Sequence, residues 1–359
     1  MGEATKPRLL IRVAAIAFVS AMLFAVAEVG ASLLLVYRDR LNKHDCDLLS
    51  SVVVLRRAAA KLGWTDYGSV QFDIESPGLT LDDDVFGWSL VPGEHTVVFK
   101  HRGCRDIEWE RFPIKMTING DQSRWTGLQF DPSKPTIYIF GDSFVEGWGV
   151  NDEQTFAYYL QMALQRYNVK LFAAAGYSLV HTYLRFQQLK LKIRPDDLVI
   201  IGYADFYDVR NVAAPSWLQE IETWMKTRVA QEKNRKLGKI PKAEIGKDGR
   251  LTISLVERDC HVVVDYCKKT DPSQSYMTMV SARLLNEIAR ETEAKVYFLH
   301  IDGLKTNAIF QNLDQNVTTI SALQEDFGFF IRDTVEYFDP HPGPYWHYAI
   351  SRKLLSQIQ

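Results

Sequence analysis

Residues 136–149 read Thr136-Ile137-Tyr138-Ile139-Phe140-Gly141-Asp142-Ser143-Phe144-Val145-Glu146-Gly147-Trp148-Gly149. Five β-prone residues, Thr136 to Phe140, run into Gly141-Asp142-Ser143; an acid, two glycines and an amphipathic helical stretch follow. That order describes a buried parallel strand ending in a tight turn at the start of a helix. A serine there stands at the carboxyl end of a sheet, near free backbone N–H groups and the positive end of a helix. The position suits a nucleophile whose attack builds negative charge on a neighbouring oxygen.

The pattern repeats downstream. Residues 153–165 place Phe156, Leu160 and Leu164 on one helical face, with Tyr159 and Ala163 beside them. A second strand, Val169–Ala173, leads into Ala174-Ala175-Gly176-Tyr177-Ser178, and a helix over 182–193 ends before Pro195. Leu198–Ile201 is a third buried strand, leading to Gly202-Tyr203-Ala204-Asp205. Tyr276–Thr292 is a long amphipathic helix and Val296–Leu299 a fourth core strand. Strands alternating with helices argue for a parallel sheet covered on both faces. Residues 212–275 read as an insertion. Pro215–Met225 starts a helix with Trp217 and Trp224 on one face, and core packing is favoured there over stacking on a sugar. The basic stretch Lys226–Lys242 is read as a solvated helix face in preference to a grip on an anionic polymer or lipid heads. Gly246-Lys247-Asp248-Gly249 is a turn signal, and Leu251–Val256 with His261–Tyr266 suggest a hairpin.

Ahead of the core, residues 13–37 are almost wholly apolar, with Lys6, Arg8 and Arg12 before them and Arg38, Arg40 and Lys43 after. Such a helix spans a hydrocarbon core of about 30 Å. A cleavable signal peptide is the rival, because Ala25-Val26-Ala27 has the small-x-small form, but the run continues through Leu33–Val36 and favours an uncleaved anchor. Glu28 inside it pairs with water or a helix partner in the favoured reading. Basic residues are balanced across the span and leave orientation open; a long carboxyl-terminal domain and the cysteines favour export, so the bulk of the chain is expected outside the cytoplasm, in the periplasm of a two-membrane bacterium. Residues 41–62 extend as a helix, 63–95 are an irregular connection, and Val97–Lys100 with Phe112–Ile118 alternate as strands of a small β cap. The division expected is therefore anchor 1–40, linker and cap 41–130, and catalytic domain 131–359. Asp82-Asp83-Asp84 reads as solvated linker ahead of a cation site.

At 359 residues the chain can bury a substantial core, and a net charge of −2 gives no field that favours nucleic acid. Cys46, Cys104, Cys260 and Cys267 show no zinc spacing. Their even count fits two disulfides in an oxidising compartment, with buried thiols the alternative; Cys260 and Cys267 are the better pair. No set of metal ligands and no nucleotide-binding glycine fingerprint is found, so neither metal nor cofactor is expected.

Gly141-Asp142-Ser143-Phe144 resembles the nucleophile block of the SGNH, or GDSL-type, hydrolases. Phe86-Gly87-Trp88 with Pro92-Gly93 resembles the lead-in of their membrane-anchored members. Gly176 fits the second block, whose glycine N–H faces the oxyanion. The third block is Gly-x-Asn-Asp, and this chain has Gly202 and Asp205 but Ala204 in place of the Asn. Losing such a donor costs about 10²–10³ in rate; Tyr203 and Asn211 are the nearby candidates to replace it. Asp339-Pro340-His341-Pro342 resembles the last block in a shortened Asp-x-His form, with His347 as an alternative base expected to face the helix interior. The resemblance covers roughly residues 86–359 and implies a flavodoxin-like α/β/α domain behind one N-terminal transmembrane helix. It also implies a catalytic set of Ser143, Asp339 and His341, an oxyanion hole from the Ser143 and Gly176 N–H groups, and Asp142, Tyr203, Asp205 and Asn211 lining the site. The activity implied is that of a serine esterase or O-acyltransferase acting on an acylated glycan or small ester, acetyl groups of an envelope polysaccharide being the natural substrate. Ala204 keeps open a weakened protein serving as a glycan-binding or assembly factor, and a cytoplasm-facing lipid esterase is a third class.

Overall fold

The computed structural model describes residues 72–75, 78–102, 108–110, 113–221, 238–327 and 341–358, with scattered positions between 18 and 30. The predicted anchor at 13–37 lies outside these residues apart from isolated helical positions such as Phe18 and Val19, as do the predicted helix at 41–62, Cys46, Cys104, Trp224 and Asp339. Among the described residues no helix is long and apolar enough to cross a membrane. Two units are distinguished, residues 1–74 with 99–111 and residues 75–98 with 112–359. In the first, Lys100–Arg102 pairs antiparallel with Glu108–Glu110.

The second unit is built on five parallel strands: β1 (Thr136–Gly141), β2 (Asn168–Ala173), β3 (Leu198–Ala204), β4 (Lys295–Asp302) and β5 (Val317–Ser321). Their spatial order is β5-β4-β3-β1-β2. This is the doubly wound flavodoxin order, in which the chain leaves β1 toward one edge and crosses back to β3 on its other side. The strands adjoining β1 diverge in connection there, which opens a crevice at the carboxyl ends of β1 and β3. Four of the five strands follow the predicted ones. The fifth, Val-Thr-Thr-Ile-Ser, lacks a long apolar run because it lies at the sheet edge.

Every residue of β1 is buried, as a strand covered on both faces requires. Side chains alternate between the faces. Ile137 and Ile139 pack with Phe156 and Leu160 of α2 (Phe156–Ala163) and with Trp346, Ile350 and Leu354 of α6 (Pro344–Ile358). Tyr138 and Phe140 face Leu179, Val180 and Phe186 of α3 (Leu179–Leu189) and Val280, Leu284 and Ile288 of α5 (Gln274–Arg290). Two short helices complete the carboxyl edge, α1 (Ser143–Glu146) and α4 (Tyr207–Asn211).

The insertion differs from its expected form. Gly246–Gly249 does make a turn, but it joins Lys239–Ile245 to Leu251–Glu257. Of residues 261–266, 261–263 form a turn that leads into the short helix Val264–Cys267, which is closed by the predicted Cys260–Cys267 disulfide. Leu251–Glu257 already has its partner in Lys239–Ile245, ahead of the turn, so the run that follows it is free to curl. Trp217 is buried with Leu218, Ile221 and Cys267, as core packing requires. The cap strands are found as Gly93–Arg102 and Ile114–Ile118, Val97 opposite Ile114. Asp83 accepts the Val85 and Phe86 N–H groups in a tight turn.

One buried cation organises the loop beyond α1. The Arg124 side chain is fully buried, its Nε donates to Asp152 at 2.9 Å, and its Nη atoms donate to the carbonyls of Glu146, Gly147 and Val150 at 2.7–2.8 Å. Those carbonyls belong to a helix end and loop with no intrahelical donors left. Replacing Arg124 with Met takes a donor from three carbonyls and leaves the buried Asp152 carboxylate with the Thr117 N–H but no counter-charge. We expect a loss of about 3–5 kcal/mol in folding stability, measured as a lower urea midpoint at an unchanged slope.

Candidate active site

Ser143 is set by the turn that carries it. Asp142, extended at φ −110°, caps α1 by accepting the Phe144 N–H at 3.0 Å. Gly147 closes the helix at φ 83°, and the Gly147 and Trp148 N–H groups both donate to the Ser143 carbonyl. Val145 presses its side chain onto the strands below, where a Cβ on either Gly141 or Gly202 would run into it. Both glycines are therefore needed for close approach, and they let α1 lie directly on β1 and β3. At 4% exposure Ser143 is nearly enclosed, and its Oγ is 2.7 Å from His341 Nε2. The two residues lie 198 positions apart in sequence. His341 stands just before α6, with its ring packed on Phe144 at 4.8 Å. The hydroxyl and imidazole thus meet at the β1/β3 crevice; the third predicted member, Asp339, lies outside the described residues.

Asp142 is completely buried. Its second oxygen is 3.3 Å from Arg210 Nη1, the Tyr207 hydroxyl lies against it, and His341 is close enough for a positive ring to favour its charge. Burial pushes the Asp142 carboxyl up, against the pull of Arg210. The same enclosure drives the Tyr207 hydroxyl well above its usual value and lowers that of Arg210. Arg210 also donates to the Tyr177 carbonyl at 3.2 Å and stands over the rings of Phe206 and Trp217 at 4.2 and 4.4 Å. It ties the turn of Ser143 to the turn of Gly176. Sequence reading did not single out Arg210, whose only signal was an arginine on a short segment after the third block.

Gly176 lies in the turn after β2, at φ 83° and buried. Since Ala173 pairs with Gly141, this turn stands beside the one carrying Ser143. Trp88 Nε1 donates to the Ala175 carbonyl at 2.9 Å, and the Tyr177 hydroxyl donates to the Trp88 carbonyl at 2.6 Å. Ala204 ends β3 opposite Asp302 and is 1% exposed.

The side chains expected to line the site or replace the missing amide have other tasks. Tyr203 donates to Asp208 at 2.9 Å within the core, and burial followed by the Asp208 charge pushes its hydroxyl far up. Asn211 accepts the Val180 N–H at 3.0 Å and donates to Ser281 at 2.8 Å, joining α3 to α5. Asp205 accepts from His300 Nε2 at 3.1 Å and the Leu304 N–H at 2.9 Å. Burial pushes its carboxyl up, but those hydrogen bonds win and hold it below its ordinary value. Tyr203 and Asn211 are therefore not the replacement donors, and Asp205 fixes the loop after β4. A strand alternates its side chains, which sends Tyr203 inward. Among the described residues no group of three His, Cys, Asp or Glu could hold a metal ion.

No family model matches the chain, and no curated protein matches it. Solved structures similar to it include a member of the lipolytic G-D-S-L family from Veillonella parvula at 11% identity, covering 62% of this chain and 97% of that one with a TM-score of 0.32. A psychrotrophic esterase from Pseudoalteromonas sp. is 12% identical over 63% of this chain and 97% of its own, at a TM-score of 0.35. A catalytic mutant of an acetylxylan esterase from Geobacillus stearothermophilus is 12% identical over 64% and 96%, also at 0.35. The similar structures are thus GDSL-type hydrolases and esterases. The sheet order and the Ser143–His341 contact stand on their own geometry.

His347 is not placed as a base. It is fully buried, stacks on Phe156, and accepts the Phe156 N–H through Nδ1 at 3.3 Å, which caps α2. Burial, then the nearby Arg124 charge, lowers it from 6.5 to about 3. The unfolded chain takes up this proton below about pH 6.5 and the folded chain does not, so the stabilisation is complete above that pH and is lost as pH falls toward about 3. His347→Asn preserves an acceptor near Nδ1 without the titration. It should flatten stability against pH between about pH 6 and 4 by up to about 1.4 kcal/mol per pH unit, read from urea melts across that range.

Proposed function

We propose that the chain is a serine esterase or O-acyltransferase of the SGNH type. The observation that carries this reading is the 2.7 Å contact between Ser143 Oγ and His341 Nε2 at the β1/β3 crevice. In the proposed reaction the hydroxyl attacks an ester carbonyl while its proton passes to His341. The bond from Oγ to the carbonyl carbon forms, and the carbonyl electrons move onto oxygen, where the Ser143 and Gly176 N–H groups receive them. As the tetrahedral carbon collapses, the bond to the leaving alcohol breaks and His341 returns the proton to that oxygen. Water or a sugar hydroxyl then attacks the acyl-serine with His341 as base, and the serine recovers its proton when the acyl group leaves. Asp339 is the proposed partner of the imidazole, holding its tautomer and supporting its positive form.

Acetyl esters on an envelope glycan are the proposed substrates, with the N-terminal apolar run as a membrane anchor and the catalytic domain outside the cytoplasm. The Cys260–Cys267 disulfide supports this placement, because such bonds persist in oxidising compartments. Ala204 supports a second reading, a weakened enzyme that mainly binds glycan, since Tyr203 and Asn211 are engaged elsewhere.

Hydrolysis of p-nitrophenyl acetate separates the two readings. The esterase reading expects turnover that Ser143→Ala lowers by about 10⁴–10⁶-fold. Turnover equal in the wild type and Ser143→Ala contradicts it. Ala204→Asn supplies the absent donor and should raise kcat by up to about 10²-fold; an unchanged kcat in the folded variant would mean the hole is already complete.

A further inference from the structure

We infer that Trp88 is a positioning residue for the reaction: it aims the backbone N–H of Gly176 at the oxyanion. This rests on the esterase reading, in which that N–H is one of two donors. The Gly176 N–H belongs to the peptide group whose carbonyl is that of Ala175, and a trans peptide is planar, its C=O and N–H pointing in opposite directions. Whatever fixes the Ala175 carbonyl therefore fixes the Gly176 N–H. Trp88 Nε1 donates to that carbonyl at 2.9 Å.

The hold is reciprocal. Tyr177, on the far side of Gly176, donates its hydroxyl to the Trp88 carbonyl at 2.6 Å, and the two rings lie 5.8 Å apart. Arg210 holds the Tyr177 carbonyl from the opposite direction. Gly176 sits at φ 83°, a backbone region open to glycine at little cost, so the turn has no side chain of its own to prevent it from rotating. The turn's own bond, from the Tyr177 N–H to the Ala174 carbonyl at 3.0 Å, is compatible with either direction of the central peptide, so external bonds must set that direction. With Ala204 in the place of a side-chain donor, stabilisation of the charge falls on two backbone groups, and misaiming one of them removes a larger share of it. Donors that are already oriented cost no reorganisation when charge develops.

Trp88→Phe keeps an aromatic ring against Tyr177 and His181 but deletes the indole N–H. A kcat for p-nitrophenyl acetate reduced by about 10-fold or more, with KM within about 2-fold in a variant that still unfolds cooperatively in urea, is the expected result. The inhibition constant of phenylboronic acid, whose tetrahedral serine adduct places an oxygen in the hole, should rise by the same factor. Tyr177→Phe, which loses the reciprocal bond and the hydroxyl's contact with Arg185 but keeps the indole donor, should shift both quantities in the same direction. If Trp88→Phe folds and leaves kcat and the boronate constant at wild-type values, the inference fails while the esterase reading survives. If Trp88→Phe does not fold, the Tyr177→Phe result decides. A wild type whose turnover does not depend on Ser143 overturns both.

Discussion

The side chain of Val145 occupies space that a Cβ on either of two strand residues would fill, and the whole crevice follows from that contact. Gly141 ends β1 and Gly202 lies near the end of β3, so the two glycines bare adjoining backbone at the switch point of the sheet. A helix of one turn, too short to be stable alone, is held there by packing and by an aspartate cap. Its first residue, Ser143, is thereby held at the carboxyl ends of β1 and β3, 2.7 Å from the His341 ring. A methyl group at either glycine would lift α1 and move the Ser143 hydroxyl away from the His341 imidazole.

Around that seat the chain spends buried charge on geometry. Arg124 gathers the carbonyls beyond α1, and Arg210 joins the Asp142 cap to the neighbouring turn. Buried ion pairs of this kind add little net stability but specify one arrangement strongly when each partner is satisfied. Trp88 and Tyr177 extend the same logic with neutral groups. His341 reaches Ser143 from the far end of the sequence because α6 packs beside α2 on the same sheet face, Trp346 and Ile350 filling the space against Phe156 and Leu160.

What was legible in the sequence was what local pattern controls. Continuous apolar strands such as Ile137–Phe140 and Val199–Ile201 announce a buried parallel sheet, and Gly-Asp-Ser after the first marks the tight turn that carries Ser143 into α1. Edge strand Val317–Ser321 was not legible, since a half-exposed strand carries no such run. The hairpin partner of Leu251–Glu257 was misread because pairing is decided by which apolar face remains unfilled in three dimensions. Tyr203 and Asn211 were placed at the site by proximity in sequence, whereas strand pleat and helix face send them to Asp208 and Ser281. Arg124 and Arg210 left no signature, and Trp88 only its place in Phe86-Gly87-Trp88, because the backbone carbonyls each holds are brought near it only by folding.

In the proposed function Ser143 is a nucleophile activated by His341. The direct measurement is the intact mass of the folded protein after incubation with a fluorophosphonate, followed by peptide mapping. A single stoichiometric adduct on Ser143 is expected, absent from Ser143→Ala and formed far more slowly in His341→Ala. A folded wild type that takes up no phosphonate, or takes it up equally well without His341, would contradict it.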